Sequence, residues 1–143
     1  MKRLGLLFVL ACGTDAGPGS KGPAYSPVVA NQLSVLAPDC ETQPGTGNAK
    51  EIRTCTGNSA RLTVSLDGKR HLVALALEMR AWTPNQARNR LDHVLAGVTT
   101  PAALAAIKDG LGERRHAGAH DGITFQTTKT ADQPAHYTLA LSW

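Results

Sequence analysis

Residues 61–66 (RLTVSL) and 69–79 (KRHLVALALEM) form the stretch that decides the fold. Apolar residues alternate with other residues along both segments, which is the two-residue period of a β-strand with one buried face. The dipeptide Asp67-Gly68 between them is typical of a tight hairpin turn. The stretch therefore predicts an antiparallel hairpin with one face directed at a core.

A two-residue turn at Asp67-Gly68 also fixes the register of this hairpin. It predicts that Val64 lies opposite His71 and that Leu62 lies opposite Val73. One face is then apolar throughout, and it carries Leu62, Val64, Leu66, Val73, Leu75, Leu77 and Met79. The other face is only partly apolar, through Leu72, Ala74 and Ala76, and is a possible contact surface if helices cover the first face.

Two helices are predicted after the hairpin. Thr83-Pro84-Asn85-Gln86 combines an N-cap residue, a proline suited to the first helical position and a glutamine that can complete a capping box. Gly97 is expected to end this helix. Thr100-Pro101 marks the start of the second helix by the same chemistry.

The remaining segments have weaker patterns. Residues 123–127 and 137–143 alternate between apolar and polar residues and predict two strands. Residues 112–122 (GERRHAGAHDG) are polar and interrupted by glycine, which predicts a loop. Residues 28–37 (VVANQLSVLA) are compatible with a strand or a short helix, and the alternation of Leu33 and Val35 favours the strand.

The order of elements predicts an α+β fold. Strands precede two helices, and strands follow them, with loops short enough for antiparallel pairing. The simplest arrangement is an antiparallel sheet of about five strands with the two consecutive helices packed on one face.

The N-terminus has the layout of a secretory signal. Lys2 and Arg3 precede the apolar residues 4–10, and Ala11 is a small residue suited to a cleavage site. The apolar run is much shorter than the ~20 residues that a membrane-spanning helix needs.

Val9-Leu10-Ala11-Cys12 resembles the lipobox of bacterial lipoproteins. The resemblance covers residues 1–12 only and implies that residues 1–11 are a signal peptide and that Cys12 carries the lipid. In this class, an Asp directly after the lipidated Cys tends to retain the protein at the inner membrane. The chain has Gly13 at that position, so the resemblance favours the outer membrane, with the domain facing the periplasm or the exterior. An ordinary secretory signal that is cut nearby remains the alternative.

The rest of the chain divides into a tether and a domain. Residues after Cys12 up to residue 27 are rich in Gly, Pro, Ser and Ala and cannot bury enough apolar surface to form a core. They predict a flexible tether. Residues 28–143 are long enough for a single α+β domain.

The three cysteines are explained once Cys12 is assigned to the lipid. Cys40 and Cys55 then remain as a natural disulfide pair in an exported protein. The alternatives are a reactive thiol pair or a metal site. Their spacing does not match a CxxC redox motif, and no histidine cluster lies near them in the sequence.

The charge pattern argues against a nucleic-acid partner. The formal net charge is +4, and it falls to +2 when Lys2 and Arg3 are removed with the signal. The charges that remain are dispersed, and the basic residues after the signal form no run longer than the pairs Lys69-Arg70 and Arg114-Arg115.

The segment His116-Ala117-Gly118-Ala119-His120-Asp121 is the only metal-like spacing in the sequence. On a helix it would put both imidazoles on one face, but the glycines within and around it favour a solvated loop. The sequence contains no GxSxG, SxxK or HExxH motif and no Gly-rich phosphate loop, and no cofactor is expected.

The sequence as a whole predicts a lipid-anchored cell-envelope protein of a non-enzymatic binding, scaffold or inhibitor type. Its partners would be the membrane, through the lipid, and an envelope protein or other macromolecule. Trp82, Arg114 and Arg115 are the candidate contact residues, although the position of Trp82 just before the N-cap favours packing on the first turn of its helix. The alternatives are a small exported enzyme or metal-dependent site at residues 116–121, and a small-ligand cleft between sheet and helices.

Overall fold

A computed structural model describes residues 22–80, 83–132 and 135–143. The lipobox, Cys12 and Trp82 lie outside these residues. The three helices are α1 (Pro27–Ser34), α2 (Pro84–Val94) and α3 (Pro101–Asp109), the last followed by a 3-10 turn at Gly110–Gly112. The seven strands are β1 (Asp39–Pro44), β2 (Glu51–Thr56), β3 (Ala60–Leu66), β4 (Leu72–Arg80), β5 (Arg115–His120), β6 (Ile123–Asp132) and β7 (Ala135–Ser142).

All seven strands belong to a single antiparallel sheet. Their order is β1-β2-β3-β4-β7-β6-β5, so β1 and β5 form the two edges. The α+β class and the antiparallel sheet are confirmed. The prediction of about five strands and two helices is wrong, because it missed α1 and the polar strands at both edges.

The core lies between the sheet and the helices. One register row crosses five strands through Cys55, Leu62, Leu77, Leu139 and Thr127. Each of these residues is at most 2% exposed. The buried residues of the helices, such as Leu91 in α2 and Ile107 in α3, join the same cluster. We call this side of the sheet the helix face.

Helix α1 replaces the strand predicted at residues 28–37. Ser26 caps it by accepting a hydrogen bond from the backbone N–H of Val29 at 3.2 Å, and Pro27 occupies the first turn. Val29 and Leu33 are buried at the i, i+4 spacing of one helix face. The burial of that face outweighs the alternation that favoured a strand.

Strands β1 and β2 occupy the region around Cys40 and Cys55. The two cysteines lie directly opposite each other in the ladder and form a disulfide, which confirms the predicted pair. β1 is polar because it is an exposed edge, and so it has no apolar alternation by which it could be predicted.

Strand β5 lies within the segment predicted as a loop. Its residues pair with β6 through a two-residue turn in which Asp121 and Gly122 both have positive φ, at 56° and 80°. This is the backbone of a tight hairpin turn, which glycine and aspartate tolerate.

The β3–β4 register differs from the predicted one. Val64 lies opposite Leu75, and Leu62 lies opposite Leu77. The connection is longer than two residues, because the side chain of Asp67 accepts hydrogen bonds from the backbone of Lys69 and His71 and closes a wider loop. A bulge next to Leu66 completes the shift.

This shift exchanges two side chains between the faces. Leu72 is fully buried, whereas Val73 is only half-buried. The prediction that placed Val73 on the core face and Leu72 on the second face is therefore wrong, and the cause is the bulge, which leaves Val73 without a partner between Leu72 and Ala74.

Helices α2 and α3 are confirmed where the sequence placed them. Thr83 and Gln86 form the full capping box, and Thr100 caps α3 by accepting from the backbone N–H of Ala103. Each helix starts with a proline at its first turn.

The described fold also includes residues 22–27, which the sequence analysis places in the tether. Pro23 accepts a backbone hydrogen bond from Leu72, and Tyr25 donates one to Arg70. The side chain of Arg70 lies over the ring of Tyr25, 5.7 Å from its centroid.

Candidate functional site

The side of the sheet away from the helices carries mostly small side chains, and we call it the open face. It is made by the strand residues that alternate with the core residues, so it consists of two register rows across β3, β4, β7, β6 and β5. Its members are Thr63, Ala76, Ala140, Gln126 and Ala117 in one row and Ser65, Ala74, Ser142, Thr124 and Ala119 in the other.

These residues line a shallow groove of about 780 Å³. Its floor is the backbone of the sheet at positions such as Leu75 and Leu141, whose side chains point to the helix face. The groove forms because alanine, serine and threonine leave the backbone close to the surface. Five strands at a spacing of ~4.8 Å make it about 19 Å wide.

The groove wall is mainly apolar and carries no formal charge. Its polar atoms are the hydroxyls of serine and threonine and the amide of Gln126. Charged residues begin in the next register row, where Arg61 lies opposite Glu78 and Arg115 lies on the β5 edge. The groove is therefore suited to an apolar surface whose charged groups lie beyond the margins of the groove.

The structure separates the predicted contact residues. Arg115 lies on the open face, one register row beyond Ala117. Arg114 precedes β5, and its carbonyl oxygen accepts a hydrogen bond from the backbone N–H of Lys129. Trp82 and Cys12 lie outside the described residues.

The candidate metal ligands are not brought together. His116 and His120 lie on the helix face of β5, and four residues of extended strand separate them by about 13 Å. Asp121 lies in the adjoining turn, where its carboxylate accepts a hydrogen bond from Thr100 Oγ1 at 2.5 Å. Among the described residues, no group of three or more His, Cys, Asp or Glu side chains is placed to hold a metal ion.

Phe125 lies between the two histidines. Its ring centroid is 5.7 Å from that of His116 and 6.4 Å from that of His120. The ring occupies the space above Gly118, where an added Cβ would lie 2.9 Å from Phe125 Cζ. The glycine that favoured a loop in the sequence is thus the residue that lets an aromatic ring cover the edge strand.

The groove includes residues that the sequence analysis did not single out. Ala74 and Ala76 were predicted to form a contact surface, and they lie in the groove. The contributions of β5, β6 and β7 were missed. A signal was available in Thr138, Ala140 and Ser142, which alternate with the core residues of β7 and are all small.

The groove also differs in place from the cleft that was considered for a small ligand. That cleft was expected between the sheet and the helices. The groove lies on the opposite face, and the buried core fills most of the helix side, where a smaller, more polar pocket of about 500 Å³ lies between Arg90 of α2 and Gly57. Among the described residues, none of the helices is long and apolar enough to cross a membrane.

No family model matches the chain, and neither the curated proteins nor the solved structures include a significant match.

Proposed function

We propose that the protein is a lipid-anchored cell-envelope protein that binds another macromolecule through the open face of its sheet. The signal-like residues 1–11 and Cys12 support export and anchoring at the outer membrane. The observation that carries the binding role is the uncharged groove of about 780 Å³ on a face that no described helix covers.

The chemistry of the groove indicates the kind of partner. A wall of alanine, serine and threonine presents methyl groups for apolar contact. These short side chains lose little conformational entropy on binding. A convex apolar surface, such as one side of an amphipathic helix, fits a concave face of this width. The partner would gain affinity from its own large side chains, because the groove supplies few.

Photocrosslinking tests the binding face. A benzophenone amino acid placed at Ala140, in the middle of the groove, is expected to yield an adduct of one defined mass in cells. The same amino acid at Ala105, an exposed alanine of α3, is the matched control and should yield no such adduct.

A second variant decides whether the adduct reflects a specific site. Ala140→Arg places a charge in the groove, so we expect it to abolish adduct formation from a benzophenone at Ala76 while the melting temperature stays within a few degrees. Equal adducts at Ala140 and Ala105, or an adduct that survives Ala140→Arg, would refute the open face as the binding site.

The anchor is tested separately. Labelling with a palmitate analogue is expected to mark the wild-type chain and not Cys12→Ala. If Cys12→Ala stays equally membrane-bound, the anchor is wrong while the open face remains testable.

A further inference from the structure

We infer that two copies of the chain pair through β5, in antiparallel orientation, to form one continuous sheet of fourteen strands. This inference depends neither on the lipid anchor nor on the partner proposed above. The two edges of the sheet, β1 and β5, differ in their protection against pairing with another strand.

The β1 edge is protected against pairing. The backbone N–H of Gly45 donates to Lys50, so odd-numbered residues of β1 bond to β2 and even-numbered ones point outward. Pro44 occupies one of these outward positions and has no N–H to offer. Asp39 and Glu41 add charge to the same strand. Prolines and charges are the usual protection of an edge strand.

The β5 edge lacks this protection between His116 and His120. The bond from Lys129 N–H to the Arg114 carbonyl shows that even-numbered residues bond to β6. The N–H and C=O groups of Ala117 and Ala119 therefore point away from the sheet. The exposed segment contains no proline, lysine or carboxylate, and no described strand lies beside it.

The sequence of β5 is symmetric about Gly118. Residues 116–120 are HAGAH, which is the same in both directions. When two antiparallel copies meet at Gly118, each residue lies opposite its own kind. Ala117 of one copy then exchanges both backbone hydrogen bonds with Ala119 of the other, and these are the residues whose polar groups point outward.

The charges at the ends of this segment are complementary in the same register. Arg115 of one copy lies opposite Asp121 of the other, and the two-fold axis repeats the pair. Arg115 is exposed, and the described residues offer it no ion-pair partner. The Asp121 carboxylate accepts a hydrogen bond from Thr100 at the start of α3, on the helix side, whereas Arg115 lies on the open face, so the two opposite charges are close along the strand edge but do not form a direct ion pair.

The two-fold axis is perpendicular to the sheet, so the helices of both copies lie on one side. The open faces lie together on the other side, where Ala117 and Ala119 form the β5 wall of each groove. Pairing therefore joins the two grooves into one. A single six-residue strand buries less than the ~1,200–2,000 Å² of a standard interface, so the dimer is expected to be weak and concentration-dependent.

Cysteine crosslinking tests the pairing and its register. His116 and His120 of opposite copies form a non-hydrogen-bonded pair, in which Cα atoms are ~4.5 Å apart. The variants His116→Cys and His120→Cys are made separately in the full chain that also carries Cys12→Ala. A mixture of the two, under mild oxidation, is expected to give several-fold more linked dimer than either variant alone.

Proline variants supply the matched control. Ala117→Pro removes an outward N–H of β5 and is expected to abolish the crosslink, whereas Thr42→Pro removes an outward N–H of β1 and should leave it unchanged. If Ala117→Pro does not fold by circular dichroism, Arg115→Asp takes its place and is expected to reduce the crosslink several-fold. Equal crosslinking in the mixture and in either single variant, or none in the mixture, overturns the inference.

Discussion

At the scale of single residues, backbone proximity decides which glycines the fold requires. A Cβ added at Gly57 would lie 2.2 Å from the carbonyl oxygen of Leu36 and 3.1 Å from Cα of Ala37. These are backbone atoms of the segment that follows α1, and they cannot move away as a side chain does. A Cβ at Gly68 would meet only the side chain of Lys50, at 3.8 Å.

We therefore expect Gly57→Ala to lower the free energy of unfolding by about 1–3 kcal/mol, as overpacking does. Gly68→Ala is the matched control and should change it by less than about 0.5 kcal/mol. Urea unfolding followed by circular dichroism measures both. Equal losses in the two variants would show that the contact between Gly57 and Leu36 does not constrain the fold.

At the scale of secondary-structure elements, the sequence predicted the helices that begin with a capping motif and the strands that have an alternating apolar pattern. The caps at Thr83 and Thr100 fixed the starts of α2 and α3 to the residue. Alternation found β3, β4, β6 and β7, because each of them has one buried face.

The elements that the sequence did not predict are formed by contacts between residues far apart in the chain. β5 is a strand because its backbone pairs with β6 and the ring of Phe125 covers Gly118. α1 is a helix because Val29 and Leu33 are buried together. The groove could be predicted only in part, at Ala74 and Ala76, because the order that places β7 beside β4 is not encoded in any one strand.

Thr100 connects α3 to the β5–β6 turn, so we expect its loss to destabilise the fold more than the loss of Thr83, the N-cap of α2. Its hydroxyl caps α3 and also donates to Asp121 in the β5–β6 turn, whereas Thr83 only completes the capping box of α2. We expect Thr83→Ala to cost about 0.5–2 kcal/mol. Thr100→Ala should cost about 1 kcal/mol more, since a second hydrogen bond is lost.

Thermal and urea unfolding of the two variants give this comparison, with Thr100→Ser as the control that keeps the hydroxyl. Thr100→Ala and Thr83→Ala with equal midpoints would contradict the link between α3 and the turn.

At the scale of the whole molecule, the sheet is stabilised differently at its two edges. Residues of α3 approach β5 and β6, and Gly110 contacts His116. β1 instead has five of its six residues exposed and is joined to β2 by the ladder and by the disulfide between Cys40 and Cys55. The disulfide therefore replaces the helix packing that this edge lacks.

Reduction of this disulfide should destabilise the whole domain. The bond joins two residues with a sequence separation of 15. A crosslink of this length is expected to stabilise the fold by about 3 kcal/mol, because it lowers the conformational entropy of the unfolded chain. We expect the urea midpoint to fall on adding reductant, and to fall by the same amount in Cys40→Ser/Cys55→Ser without reductant. A midpoint that does not change would mean that the β1 edge is stable through its ladder alone.

The two ends of the described fold meet at the start of β4. Pro23 bonds to Leu72, and the backbone N–H of Trp143 bonds to the carbonyl of the next residue, Val73. A mechanical load applied between residues 22 and 143 would therefore enter the sheet at the start of β4 and the end of β7. If the chain is tethered at its front end, a pull on residue 143 would be transmitted to the tether by a short path through β7 and β4, and the two edge strands lie outside that path.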